Sequence, residues 1–391
     1  MKLVSHDCLL YDGLPATLAD SMTSFTPRQD AALNAVGAWL KAKPGTSGNP
    51  NIFRLFGYAG TGKTTLARHI AEDVDGDVKF AAFTGKAALV MRSKGCHDAQ
   101  TIHSLIYRAR ESGEEVPSFD LWDDAPVSKA ALIIIDECSM VDAELGRDLM
   151  SFGVPVLVLG DPAQLPPIQG GGFFTEAEPD AMLTEVHRQA EDNPIVRLSM
   201  DVREGRALAP GDYGDAQVIT KRTLDPDRVM AADQILVGRN ATRRAYNKRM
   251  RERKGFSGEL PAADDKLVCL RNNRKKGLLN GGLWTVVKAP AATSRARAII
   301  QMRLSPETGG RAVKVSVRKE CFTGEIAEVE WDQRKPYDEF DFGYVLTVHK
   351  SQGSQWDDVV LFDESFAFPE SRGRWLYTGI TRAAERLTIV V

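Results

Sequence analysis

Short apolar runs rich in β-branched residues punctuate the chain, and each leads into a polar, motif-like loop. The first set is Ile52–Phe56, Phe80–Phe83, Leu132–Ile135 and Val154–Leu159. Strands covered on both faces read as continuous apolar runs, and strands separated by helical segments pair in parallel, so this set predicts a parallel sheet with helices on both faces. A second set, Gln234–Val237, Tyr344–Val348, Asp358–Phe362 and Arg386–Val391, predicts a second αβ domain. Between its halves the texture changes: Lys266–Arg271, Leu283–Lys288, Ala298–Leu304 and Val313–Val317 are separated by turns such as Asn280-Gly-Gly282 and Thr308-Gly-Gly310. Short strands with turn signals at that spacing predict a small β-barrel inserted in the second αβ domain. From Arg108 to Ser128 the apolar pattern lapses into charged, Pro and Gly residues, which predicts a small insertion. Upstream, Thr26 is an N-cap and Pro27 a first-turn residue for a helix running to Leu40, closed by the breaker stretch 44–50.

Composition narrows the class. The apolar and charged fractions, 43% and 26%, are those of a globular protein, and no apolar run is long enough to span a membrane. The five cysteines, at 8, 96, 138, 269 and 321, fit neither a zinc site nor a disulfide framework, so a reducing, cytoplasmic setting is expected. With a net charge of −3, a nucleic-acid partner has to be held by local basic patches.

The candidate chemistry starts at Gly57-Tyr-Ala59-Gly60-Thr61-Gly62-Lys63-Thr64-Thr65, placed after an apolar run and before a helix-like segment. Glycines there let backbone N–H groups curl around a polyphosphate, and the helix start adds its positive end. Lys63 is expected on the β/γ-phosphates of ATP and the Thr64 hydroxyl on Mg²⁺. Ile133-Ile-Ile-Asp136-Glu137 delivers two carboxylates to a strand end, Asp136 for Mg²⁺ and Glu137 as general base. Gly160-Asp161-Pro-Ala-Gln164 repeats the strand-then-loop pattern, with the Gln164 amide a candidate γ-phosphate contact. Arg188 and Arg382 are candidates to meet developing phosphoryl charge from across a cleft. Thr26-x-x-Gln29 is a capping box that needs no ligand.

In this order, Phe25–Gln29, Gly57–Thr65, Phe83–Ala88, Thr101–Leu105, Ile133–Met140, Leu157–Ile168, Leu183–Gln189, Thr347–Gln355 and Tyr377–Ala383 resemble the RecD/Dda-like branch of superfamily-one DNA helicases, whose polarity is 5′ to 3′. The resemblance implies two RecA-like motor domains with ATP between them and a single strand across their tops. It divides the chain into a first domain over 1–182, with a strand-splitting pin at 106–128, and a second over 183–265 and 341–391, with the barrel at 266–340. It implies that Gln29 recognises adenine, Gly353 lines the nucleotide cleft, and Arg188 and Arg382 are the γ-phosphate arginines. Thr84, Lys86, Thr101 and His103 are then the DNA contacts of the first domain, and Thr347, His349 and Ser351 those of the second. The pin is short, with Phe119 and Trp122 as the only aromatics over 108–128.

The stretch Arg239–Lys254 holds eight basic residues and one acid, which reads either as a phosphate-tracking helix or as a solvated basic face. Tyr344, Trp356 and Trp375 read equally as base-stacking aromatics or as core. A nucleotide-switched clamp has no need of a general base, and a small-molecule kinase has no need of the C-terminal segments. These residues with the resemblance, which alone carries the polarity, point to an ATP-dependent, 5′-to-3′ DNA helicase acting on single-stranded and forked DNA, and an RNA-directed motor of the same superfamily stays open. A monomer in a bacterial or phage-infected cytoplasm is expected, with replication or recombination proteins as candidate partners and replication, repair or recombination as its setting.

Overall fold

The computed structural model describes residues 25–46, 48–109, 119–122, 124–166, 172–185, 192–273, 276–290, 298–307 and 309–391. Its first sheet is parallel, in the order Gln100–Thr101, Val78–Ala82, Leu132–Asp136, Val156–Gly160, Ile52–Gly57, Ala181–Leu183. Successive side chains of a strand point to opposite faces. Ile133, Ile135, Val156 and Val158 accordingly enter one apolar cluster, while Leu132, Ile134, Leu157 and Leu159 enter another across the sheet. Both faces are covered, which is why these strands carry no polar alternation. Pairing of Val156–Gly160 with both Leu132–Asp136 and Ile52–Gly57 brings three loops together at the carboxyl edge, where open α/β sheets bind ligands.

The second sheet runs Val345–Thr347, Gln234–Val237, Trp356–Phe362, Ala383–Val390, Ala216–Ile219, Gly211–Asp212, parallel except for the last pair. Its two faces again feed separate clusters: Leu236, Leu346, Val359 and Leu361 on one side, Ile235, Val237, Val345 and Val360 on the other. The α/β class with two RecA-like parallel-sheet units holds.

An antiparallel five-stranded sheet interrupts the second unit, in the order Val313–Arg318, Ile299–Pro306, Leu283–Lys288, Lys266–Cys269, Phe340–Phe342. A bridge between Val317 and Asp338 brings its two edges together and curls the sheet toward closure. Leu267, Trp284, Val286, Ile300 and Phe340 share one core with Ile235 and Val345, so the inserted sheet is fused to the second unit through common packing. A two-stranded ribbon, Tyr107–Ala109 with Phe119–Leu121, rises where the small insertion is expected; residues 110–118 lie outside the described residues. Trp122 packs on the first unit's core beneath that ribbon.

Candidate active site

The phosphate loop is held by its glycines. Gly60 and Gly62 have φ of 78° and 80°, a left-handed region that favours glycine. A Cβ on Gly57 would lie 2.6 Å from Thr61 Oγ1 and 2.8 Å from Leu183 Cβ. The helix Lys63–Glu72 starts without a side-chain cap, which leaves its first N–H groups open to an anion. Lys63 Nζ donates to the carbonyls of Gly57 (2.7 Å) and Tyr58 (2.9 Å), so the ammonium is parked beside the position of a phosphate. Gln29 is buried: its Oε1 accepts from Thr26 N–H and its Nε2 donates to the Thr61 carbonyl at 3.0 Å. It therefore completes the capping box and braces the loop at the same time.

Thr64 Oγ1 donates to Asp136 Oδ2 at 3.2 Å, and Asp136 Oδ1 accepts the Glu137 N–H at 2.8 Å. Glu137 has φ of 54°, a backbone region costly for a residue with a side chain, and such strain gathers at functional sites. Burial raises its carboxyl above the ordinary glutamate range; Arg382 opposes this and Asp136 adds to it. Gln164 is buried, its Oε1 has no partner among the described residues, and the residue lines a cavity of about 450 Å³. Thr61 to Thr65, Asp136, Glu137 and Gln164 line that cavity from the first unit; Gly353 and Arg382 line it from the second. Uncapped amides, a lysine, a hydroxyl–carboxylate pair and an unpaired amide form a donor and acceptor set that fits a nucleoside polyphosphate with its metal. Arg382 is itself buried, held by the carbonyls of Thr378 and Ser354. Arg188 lies outside the described residues.

Gly353 marks a close approach of the two units. Its φ is 71°, and a Cβ there would sit 2.8 Å from Thr84 Oγ1 and 3.1 Å from Ala87 Cβ. Gly353→Ala is expected to hold the units apart and lower kcat/KM for ATP about tenfold, given a cost of about 1–2 kcal/mol for the left-handed conformation alone. Steady-state hydrolysis checks this; an unchanged value would mean that the contact is not used in turnover.

The strand-facing candidates divide into two groups. Thr84, Thr101 and Thr347 each cap a helix, accepting from Ala87, Ser104 and Lys350 N–H at 3.1, 3.1 and 3.3 Å. His103 is exposed beside Phe83 and Tyr107, and His349 packs 5.0 Å from Phe368, where burial lowers its pKa. Two residues are engaged elsewhere. Lys86 Nζ lies 4.0 Å over the Trp356 ring, across the boundary between the units, and burial pushes its pKa down to about 8. Ser351 is fully buried and donates to the Val348 carbonyl at 2.7 Å. Tyr344, Trp356 and Trp375 are buried and serve as core.

The basic helix Asn240–Arg253 is neither purely phosphate-tracking nor purely solvated. Arg243 is buried against Asp341 and Arg251 against Asp265, while Arg239, just before it, pairs with Glu364. Arg244, Lys248, Arg249, Arg253 and Lys254 are exposed. Sequence reasoning missed Phe366, 61% exposed on the loop after Trp356–Phe362, and the interunit contacts of Gln352, Tyr377 and Thr378. The aromatic pair in Ser365-Phe366-Ala-Phe368-Pro was the available signal for the first.

The cavity lies between two RecA-like sheets and is lined from both units. A family model described as an AAA domain matches residues 46–223, and one described as a UvrD-like helicase C-terminal domain matches 342–390. Over these two segments the chain is similar to superfamily-one helicases. It is 28% identical over 364 residues to the ATP-dependent RecD2 DNA helicase of Deinococcus radiodurans, covering 85% of this chain and 46% of that protein. It is 32% identical over 196 residues to the ATP-dependent DNA helicase dda of Enterobacteria phage T4, covering 46% and 43%. The chain thus spans less than half the length of either relative. Among solved structures, one concerned with DNA unwinding at forked duplex DNA by two coordinating Pif1 helicases has a TM-score of 0.59, at 19% identity over 94% of this chain and 92% of the other. A Bacteroides Pif1 bound to single-stranded DNA has a TM-score of 0.56 at 17% identity, over 94% and 92%. Both likenesses are of fold.

Proposed function

We propose that this chain is an ATP-driven helicase that moves 5′ to 3′ along single-stranded DNA and separates forked duplex DNA. One observation carries the reading: a single cavity takes Lys63, Thr64, Asp136 and Glu137 from the first unit and Arg382 from the second. A nucleotide there touches both units, so its turnover changes what holds them together, and a motor needs that coupling. Lys63 turns from the Gly57 and Tyr58 carbonyls to the β/γ-phosphates, and the Gln164 amide meets the γ-phosphate. Glu137 takes the proton of the attacking water, and Arg382 with Arg188 meets the developing charge. Mg²⁺, held by Thr64 and Asp136, would neutralise phosphate charge; one carboxylate and one hydroxyl suit an ion that keeps most of its waters.

In this reading residues 1–182 form the first motor domain, with the pin at 106–128. Residues 183–265 and 341–391 form the second, and the barrel spans 266–340. Thr84, Thr101, His103, Thr347 and His349 face the strand, with Phe366 added as a stacking surface. Lys86 reaches the strand by leaving Trp356, and Ser351 acts by shaping the Thr347 turn. Gln29 braces the loop next to the base. The names of the relatives support DNA as the track, and the ordered segments support the direction. A monomer serving replication or recombination proteins belongs to the same proposal. The test is strand separation on forks carrying either a 5′ or a 3′ single-stranded tail, with ATP turnover followed in parallel and Lys63→Ala as the inactive control. Unwinding from the 5′ tail alone is expected. Strand-stimulated hydrolysis without unwinding from either tail would reduce the protein to a translocase.

A further inference from the structure

The entry to the phosphate loop is gripped from the second unit. Ala59 N–H donates to Tyr377 Oη at 2.9 Å, and Tyr377 O–H donates to Asp161 Oδ2 at 2.7 Å. The Arg203 guanidinium stacks 3.7 Å above the Tyr58 ring, one residue before Ala59. Tyr377 and Asp161 are both buried, and the other carboxylate oxygen of Asp161 accepts the Ala163 N–H at 3.0 Å. The tyrosine hydroxyl thus joins three motifs, the phosphate loop, the Gly160–Gln164 loop and the Tyr377–Arg382 helix segment, through one oxygen atom. The Gly57 and Tyr58 carbonyls of the same three-residue stretch hold the parked Lys63 ammonium.

We propose that Tyr377 is a positioning residue for ATP binding, an interdomain clasp that sets the shape of residues 57–59 and makes it depend on where the second unit sits. This deepens the reading of the site as a nucleotide motor and rests on it. A phenol between an amide donor and a carboxylate has to be protonated to serve both; burial and the neighbouring Asp161 charge keep it so. Removing the hydroxyl leaves a half-buried N–H and a buried carboxylate oxygen each short of a partner, while the ring keeps its place in the core. Movement of the second unit therefore changes the loop that binds phosphate.

The neighbouring residue supplies the control. Thr378 Oγ1 accepts the Leu165 N–H at 3.0 Å, another hydroxyl-mediated contact between the units, but one that does not touch the phosphate loop. Tyr377→Phe and Thr378→Val each delete one such bond. Hydrogen exchange in the nucleotide-free full chain, read on the peptide covering residues 56–66, is expected to speed up in Tyr377→Phe and to stay at the wild-type rate in Thr378→Val. Affinity for a fluorescent N-methylanthraniloyl ATP is expected to fall about three- to tenfold in Tyr377→Phe, the range of one lost hydrogen bond, and less than about twofold in Thr378→Val. Equal effects in the two variants, or no acceleration in Tyr377→Phe, would overturn the clasp. A wild-type chain that binds no nucleotide would sink the ATP reading, while the exchange rates would still decide the clasp.

Discussion

Glu137→Gln is expected to bind ATP and single-stranded DNA while losing about 10²–10⁴-fold in turnover, the contribution of a positioned general base. The substitution keeps the shape of the side chain and removes its basicity. Steady-state hydrolysis is measured beside equilibrium binding of a labelled strand; a variant that keeps most of its turnover would place the base elsewhere. The pH profile makes the assignment specific. Burial raises the Glu137 carboxyl, with Arg382 and Lys63 pulling it back and Asp136 and Asp161 pushing it further. A base works only when ionised, so a raised pKa moves the acid limb of kcat/KM above that of an exposed glutamate, near 4.3. Arg382→Gln removes an attraction for the ionised form. Its acid limb should therefore lie at still higher pH, beyond whatever it loses in rate. A limb that moved down or stayed put would mean that Arg382 does not sense the base.

How far such a site is legible depends on whether its cause is local. The interior strands announced themselves because Leu132 to Ile135 and Val156 to Leu159 are sealed on both faces, and the carboxylates of Asp136 and Glu137 follow from where such a strand ends. Edge strands such as Gln100–Thr101 and Gly211–Asp212 have two residues each, too few to carry a period. The basic helix misled for a physical reason. Its buried positions, Arg243, Asn247, Met250 and Arg251, lie four, three and one residues apart on one face, but only Met250 is apolar. Hydrophobic periodicity cannot find an inward face built from guanidinium and amide groups. The threonines at 84, 101 and 347 could be read as caps, whereas Lys86 over Trp356 and Tyr377 on Ala59 could not. Those contacts join residues separated by most of the chain and exist only once two units have packed.

Arg251→Met is expected to be the most destabilising of the helix substitutions, costing about 3–5 kcal/mol, as breaking a buried ion pair from one side does. Asp265 is fully buried and sits just before the first strand of the inserted sheet. Arg251 Nη2 and Nε reach its carboxylate at 3.0 Å, Nη1 donates to the Gly258 carbonyl at 2.7 Å, and Nη2 also reaches the Leu260 carbonyl at 2.9 Å. One guanidinium thus ties the end of the helix, the loop beyond it and the start of the sheet, while its plane lies 4.1 Å from the centre of the Phe342 ring. Methionine fills part of the volume but leaves two carbonyls short of a donor and Asp265 with only Tyr344 O–H and Ala262 N–H. A charge kept in the core without its counterion is the dominant loss. Thermal unfolding should fall by roughly 6–20 °C, on the scale of 2–4 °C per kcal/mol. Arg249→Met, two residues away and exposed, should stay within about 0.5 kcal/mol. Denaturant melts of the two variants decide the matter: similar midpoints would mean that the Arg251 pair is solvated in solution. Well-separated midpoints would show that this helix binds the inserted sheet to the second unit with its inward arginines, leaving only the outward ones exposed.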